Sequence, residues 1–333
     1  MNNKKYFLIL LFLTIILAAT AFLGILLGSV KIPAGEVILA LVGKGSSAVN
    51  SLLIFNIRLP RMLAAILAGM GLACSGVILQ GVMNNSLASP NTIGVNSGAG
   101  FAVMLGMMLL GGSSAYSPLF AFLGALVTTL LIFALAYFGD SSRTTIILAG
   151  ITVSSFLSAG TNTIKLLDSD ITLNITTFLI GTLSGVTMDA IRLPAACIII
   201  SVALAIMLSK YLNLLSLGDD IARSLGANVT LLRLVLLVLA SVLAGCVVSF
   251  AGLLGFVGLI VPHMGRKMFG NDARLLMPCC ALLGAILVTM CDMLARVVAA
   301  PYELPVGIIL SFVGGPFFMY LLLRKKGGRR VNA

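Results

Sequence analysis

Leu253-Leu254-Gly255-Phe256-Val257-Gly258-Leu259-Ile260-Val261-Pro262-His263-Met264 is the stretch on which the fold turns. It is apolar enough to enter a bilayer. It is short for a helical crossing, which needs roughly 20 mostly apolar residues. Gly252 precedes it, and Gly255, Gly258 and Pro262 interrupt it. Charge decides whether it crosses. Lys4 and Lys5 stand at one end of the chain, and Arg324, Lys325, Lys326, Arg329 and Arg330 at the other. Basic residues collect on the cytoplasmic side, so both termini lie inside only if the number of crossings is even. Full-length apolar runs lie near 6–28, 62–83, 93–112, 117–138, 144–165, 190–210, 229–250, 276–296 and 305–323. Counting 253–264 as a short or broken crossing makes ten. Arg143, Lys210, Arg223, Arg233, Arg266, Lys267 and Arg274 then fall inside as well. Only Lys31, Lys44, Arg58, Arg61, Lys165, Arg192 and Arg296 are left outside.

Composition agrees. Of 333 residues, 60% are hydrophobic and 9% charged, and the mean hydropathy is +1.16. Soluble domains carry about 25% charged residues. A soluble enzyme, a disordered regulator and a disulfide scaffold are excluded. The net charge of +11 belongs to loops on one side of a membrane and needs no nucleic acid. Backbone groups in lipid must bond internally, so the runs are helices, and no ten-residue alternation marks a barrel. The reading is an all-α polytopic protein with residues 1–333 as a single transmembrane domain. The first run is too long for a signal peptide and is kept as a helix. The polar interruptions 29–61 and 166–189 fall outside. Their half-apolar parts, Gly35–Val42 and Ile171–Leu183, predict short helices at the interface.

Catalytic machinery is missing from the sequence. No G-x-x-x-x-G-K-[ST] loop is present, and His263 is the sole histidine. Cys74, Cys197, Cys246, Cys279, Cys280 and Cys291 lie in or beside spans and form no C-x-x-C, so they are packing residues. No cofactor, metal site or enzymatic role is expected. Tyr137, Gly139-Asp140 and Asp292 could suggest an intramembrane aspartyl protease, but the two acids fall near opposite faces. Asp292 lies four residues before Arg296, a spacing that predicts a local ion pair.

Three polar motifs stand out. Ile57-Arg58-Leu59-Pro60-Arg61 enters the second run from outside. Its arginines oppose both the helix dipole and the inside bias, which leaves headgroup anchoring or docking of an acidic partner. Gln80–Pro90 and Ile93–Gly100 are rich in small and polar residues at membrane depth. Such backbone is tolerated only against protein or a water-filled path, so the Asn85 turn reads as a constriction, and Gly94 and Gly98 read as close helix packing. Leu217–Gly226 reads as a short capped helix on the inner side, with Leu217, Ile221 and Leu225 on one face. It must pack on its own membrane domain or on a cytoplasmic partner.

With these residues in view, the chain resembles the iron-chelate and cobalamin importer permeases of the type II ABC transporters. The resemblance runs from about residue 6 to 323. It is carried by Ile57–Arg61; Asn85 with Leu87-Ala88 and Pro90; Gly94 with Gly98-Ala99; Leu148-Ala149-Gly150; Gly218 with Ala222 and Leu225-Gly226; Gly255–His263; and Asp292 to Arg296 followed by Glu303-Leu304-Pro305. It implies a ten-helix subunit in a prokaryotic plasma membrane, paired with a second copy or a paralogous permease. It also implies two cytoplasmic ATPase subunits and an external solute-binding protein. By motif, Arg58, Arg61 and Arg296 would meet acids of that binding protein. Gly218, Asp219, Ala222, Leu225 and Gly226 would form the helix that couples to the ATPase. Asn85, Ser86 and Leu87, with Ser142, Arg143 and Thr144, would form the inner gates. Ser86 stands where many relatives carry proline, which leaves that turn less rigid. The expected cargo is a ferric siderophore, haem or cobalamin-type chelate. The rival reading is an ion-coupled carrier without an ATPase.

Overall fold

The structure, a computed structural model, describes residues 3–28, 30, 32–43, 47–138 and 142–327. It consists of helices α1 (Asn3–Leu26), α2 (Ala34–Leu41), α3 (Ala48–Leu53), α4 (Leu59–Val82), α5 (Val95–Leu109), α6 (Ser117–Phe138), α7 (Arg143–Leu167), α8 (Ser169–Ile180), α9 (Met188–Ser216), α10 (Asp219–Ser224), α11 (Val229–Ala251), α12 (Val257–Phe269), α13 (Ala273–Val297) and α14 (Val306–Gly327). A π turn, Ile54–Arg58, joins α3 to α4, and a 3-10 turn, Pro90–Ile93, precedes α5. No strand occurs among the described residues. Asp140 of the protease reading, and Arg329 and Arg330 of the terminal cluster, lie outside them.

The ten expected crossings correspond to α1, α4, α5, α6, α7, α9, α11, α12, α13 and α14. Among the described residues, seven helical stretches are long and apolar enough to span a bilayer, one of them Ala48–Val82, which runs through the π turn; Val95–Leu109 and Val306–Leu321 are shorter apolar helices. The stretch 253–264 needs correction. Residues 252–256 are not helical, and α12 begins at Val257 and continues to Phe269. Gly252 has φ +70° and Phe256 φ +66°, a left-handed backbone that ends α11 and re-aims the chain.

That break leaves carbonyls and amides inside the bundle, and neighbouring broken ends satisfy them. Thr182 N–H donates to the Ala251 carbonyl at 2.9 Å, Leu253 N–H to Phe178 at 2.9 Å, and Gly307 N–H to Gly181 at 3.0 Å. The ends of α8 and α11 and the start of α14 are thus tied into one knot of backbone. The end of the segment expected at the interface, residues 178–182, is thus tied to protein. Glycine is required at 181, where φ is +86° and a Cβ would stand 2.6 Å from the Leu253 carbonyl oxygen.

The centre of the bundle is α4, packed against α9, α11, α12 and α13. Helices in lipid gain no hydrophobic drive from meeting one another, so close packing through small residues takes its place. A Cβ at Gly69 would lie 2.1 Å from the Gly284 carbonyl oxygen, and one at Gly76 would lie 2.0 Å from that of Gly258. On the flank, Gly98 of α5 meets Gly124 and Thr128 of α6 in the same way. The opposite case is α7, which is only 17% buried over its apolar window and has the lowest hydropathy of the seven long spans. Thr152, Ser155, Ser158 and Asn162 are exposed on it, at spacings that share one helical face.

Candidate functional site: a path and its two ends

The knot of broken ends borders a cavity of about 630 Å³. Asn91 lines it from the 3-10 turn, Asn96 from the start of α5, Ile180 from α8, Gly255 from the break, and Ser311 and Phe312 from α14. The lining contains amides, one hydroxyl and apolar groups, and no ionisable side chain. Such a wall holds a ligand by shape and weak hydrogen bonds, and it offers no thiolate, imidazole or carboxylate to compete for a metal. Among the described residues no cluster of three or more His, Cys, Asp or Glu could hold a metal ion.

At one end of the bundle lie the three arginines predicted as an exposed basic rim. They are buried instead: Arg58, Arg61 and Arg296 are 6%, 4% and 3% exposed. Their burial follows from where α1 stops. The last carbonyls of a helix have no partner within it, and cations favour that end. Arg296 Nη1 donates to Gly24 at 2.9 Å and Leu27 at 3.1 Å, while Arg58 Nη1 donates to Ile25 at 2.6 Å and Leu26 at 2.9 Å. Arg58 Nη2 also reaches the Val30 carbonyl. Arg61 donates from Nε to both Asp292 oxygens, at 3.0 and 3.1 Å, and pairs with Glu303. The expected Asp292–Arg296 pair is present at 3.2 Å. The sequence did not show that Asp292, fully buried, also serves Arg61 from another helix. All three arginines and Glu303 line a cavity of about 270 Å³, so the basic surface is a sunken pocket.

At the other end, α10 has the predicted short form. Gly218, φ +114°, starts it and Gly226, φ +81°, follows it. Ala222 is completely buried, so it faces the chain's own helices; Leu217, Ile221 and Leu225 are exposed. Arg143 and Arg233 both pair with Asp219, at 2.9 and 2.8 Å. Burial opposes the Asp219 charge, but the hydrogen bond from Arg233 and the charges of Arg233, Arg143 and Arg223 outweigh it and hold the carboxyl below its ordinary range. Ser142 caps α7 by accepting from Thr145 N–H at 3.1 Å, and Thr144 is exposed. Arg233 escaped the sequence reading because nothing local marks its partner.

The Asn85 turn lies beside a separate cavity of about 430 Å³ with Asn84, Ser86, Asn213 and Arg266. Asn85 Oδ1 accepts from Leu87 N–H at 2.9 Å. That side-chain turn stiffens the segment where proline is lacking at 86. His263 packs edge-on against Phe317, with ring centres 6.3 Å apart.

Among the described residues, seven stretches long and apolar enough to span a bilayer make this a polytopic membrane protein. The chain belongs to the FecCD transport family, whose profile matches residues 13–324. It is 36% identical to the Fe(3+)-citrate import system permease protein YfmE of Bacillus subtilis, covering 96% of each chain. It is 36% identical to the ferric enterobactin transport system permease protein FepD of Escherichia coli, covering 95% of each. A solved chain described as an inward-facing conformation of a metal-chelate type ABC transporter superposes with a TM-score of 0.83 at 30% identity. The match covers 95% of this chain and 99% of that one.

Proposed function

We propose that this permease carries an intact metal chelate, ferric siderophore or haem in class, through a path completed by a second permease copy, driven by a separate ATPase. The carrying observation is the 630 Å³ cavity, whose wall bears no ionisable group. The exposure of α7, whose outer face mixes Ser155, Ser158 and Asn162 with Leu148 and Ile151, supports the pairing, because the Asn162 amide at membrane depth needs protein or water opposite it. An ion-coupled carrier would need a titratable acid free to exchange its proton or cation. Asp292, the acid fully buried within the spans, is already shared by Arg61 and Arg296. In this reading both termini are cytoplasmic, the Arg61 end is outer and the Asp219 end inner. In liposomes the chain alone should not accumulate ferric siderophore under a proton or sodium gradient. With its co-expressed ATPase, ATP and binding protein it should. Gradient-driven accumulation by the chain alone would establish the carrier instead.

The 270 Å³ arginine pocket then receives a carboxylate of the binding protein. Arg296 Nη2 has no hydrogen-bond acceptor among the described residues but is itself buried, so the pocket draws the carboxylate by its charge rather than through that atom. Reversing all three arginines would dismantle the fold, since each is buried. Ile57, exposed at the mouth, gives a cleaner test. Ile57→Glu should slow binding-protein association several-fold at low salt and less at high salt, because charge governs encounter. An unchanged rate at low salt would move the docking surface elsewhere.

A further inference from the structure

Asp219 stands between two arginines that differ in kind. Arg233 of α11 is 2% exposed at its side chain and donates from Nη2 to both carboxylate oxygens, at 3.0 and 2.8 Å. Arg143 is the first residue of α7 and 22% exposed. It makes one bond to Asp219 Oδ1 and one to the Leu215 carbonyl, both 2.9 Å.

The helices behind the arginines differ as well. α11 packs against α4, α6 and α9 in the centre of the bundle, whereas α7 is the least buried span and meets chiefly α5 and α6. The Arg233 arm has its cation out of water and bonds both carboxylate oxygens, which makes it costly to break. The Arg143 arm, 22% exposed and bonded to one carboxylate oxygen, is more open to screening and exchange.

We propose that Asp219 is a positioning residue with one permanent and one releasable arm: Arg233 fixes α10 to α11, and Arg143 joins α10 to the foot of α7, so that movement of α10 reaches the transport path through α7. The proposal rests on the reading of α10 as the ATPase seat. Asp219 stays ionised at neutral pH, because its carboxyl lies below the ordinary range. The lever on the releasable arm is therefore ionic strength rather than pH.

The test uses the complete transporter, with ATPase and binding protein, in liposomes. The quantity measured is ferric siderophore taken up per ATP hydrolysed. Arg143→Gln should lower it about tenfold, an ordinary size for coupling between sites, with the ATPase still copurifying. Arg143→Lys should recover most of the loss. Raising salt should lower the wild-type ratio toward that of Arg143→Gln and change the variant less. An unchanged ratio in Arg143→Gln would overturn the proposal. So would loss of the ATPase from that variant, which would place Arg143 in the seat itself. The seat reading fails separately, if the wild-type chain does not bind the ATPase.

Discussion

Asp292→Asn should be the most damaging conservative substitution in this chain. The change keeps the shape of the side chain and removes the charge that Arg61 and Arg296 share. Both guanidinium groups are buried, so neither can turn to water. Breaking a buried ion pair by removing one partner costs about 3–5 kcal/mol, and Asp292 serves two partners. The expected results are a lower melting temperature in detergent and less folded protein in the membrane. Arg61→Met should cost less when added to Asp292→Asn than when made alone, because residues of one network do not add. A melting temperature equal to that of the wild type would show that Glu303 and the α1 carbonyls suffice for the arginines.

The second large effect is expected at α10. Ile221 of the six-residue helix and Leu225, which caps its end one turn later, are 50% and 65% exposed. An isolated helix this short is marginal in water, so its apolar outer face calls for a partner. Ile221→Glu with Leu225→Glu should leave insertion and melting unchanged, since neither side chain supports the bundle. It should strip the co-expressed ATPase from the purified complex and reduce uptake to background. Ala222, by contrast, is wholly buried, and a charge there would damage the chain's own packing and say nothing about the partner. Copurification of the ATPase at its ordinary ratio with the double variant would reject α10 as the seat.

The bilayer makes much of this architecture legible. Runs such as 117–138 and 229–250 admit one structure in lipid, and α6 and α11 match them almost to the residue. Glycine spacing at 94 and 98 marked a close helix approach, because a missing side chain is a local fact, but it did not name α6 as the partner. Helix-turn arithmetic found the Asp292–Arg296 pair for the same reason. The limits lie in contacts that no local period encodes. Arg58 and Arg296 looked exposed because the carbonyls they cap belong to α1. Ala222 looked available to a partner because a six-residue helix does not reveal which face its own bundle takes. The break at 252–256 was visible as glycines, but its length was set by the ends of α8 and α14, which lie far away in the chain.

Arg61 and Asp292 are 231 residues apart in sequence, and that separation imposes a schedule on biogenesis. Translation at about 5–20 residues per second delivers α13 some 10–50 s after α4. Arg58 finds its carbonyl partners at once, because α1 has already been made. Arg61 does not, and a guanidinium without a counter-charge stays in the headgroup layer rather than sink beside lipid tails. The central helix α4 therefore completes its ion pair with α13 only when nearly the whole chain has been synthesised.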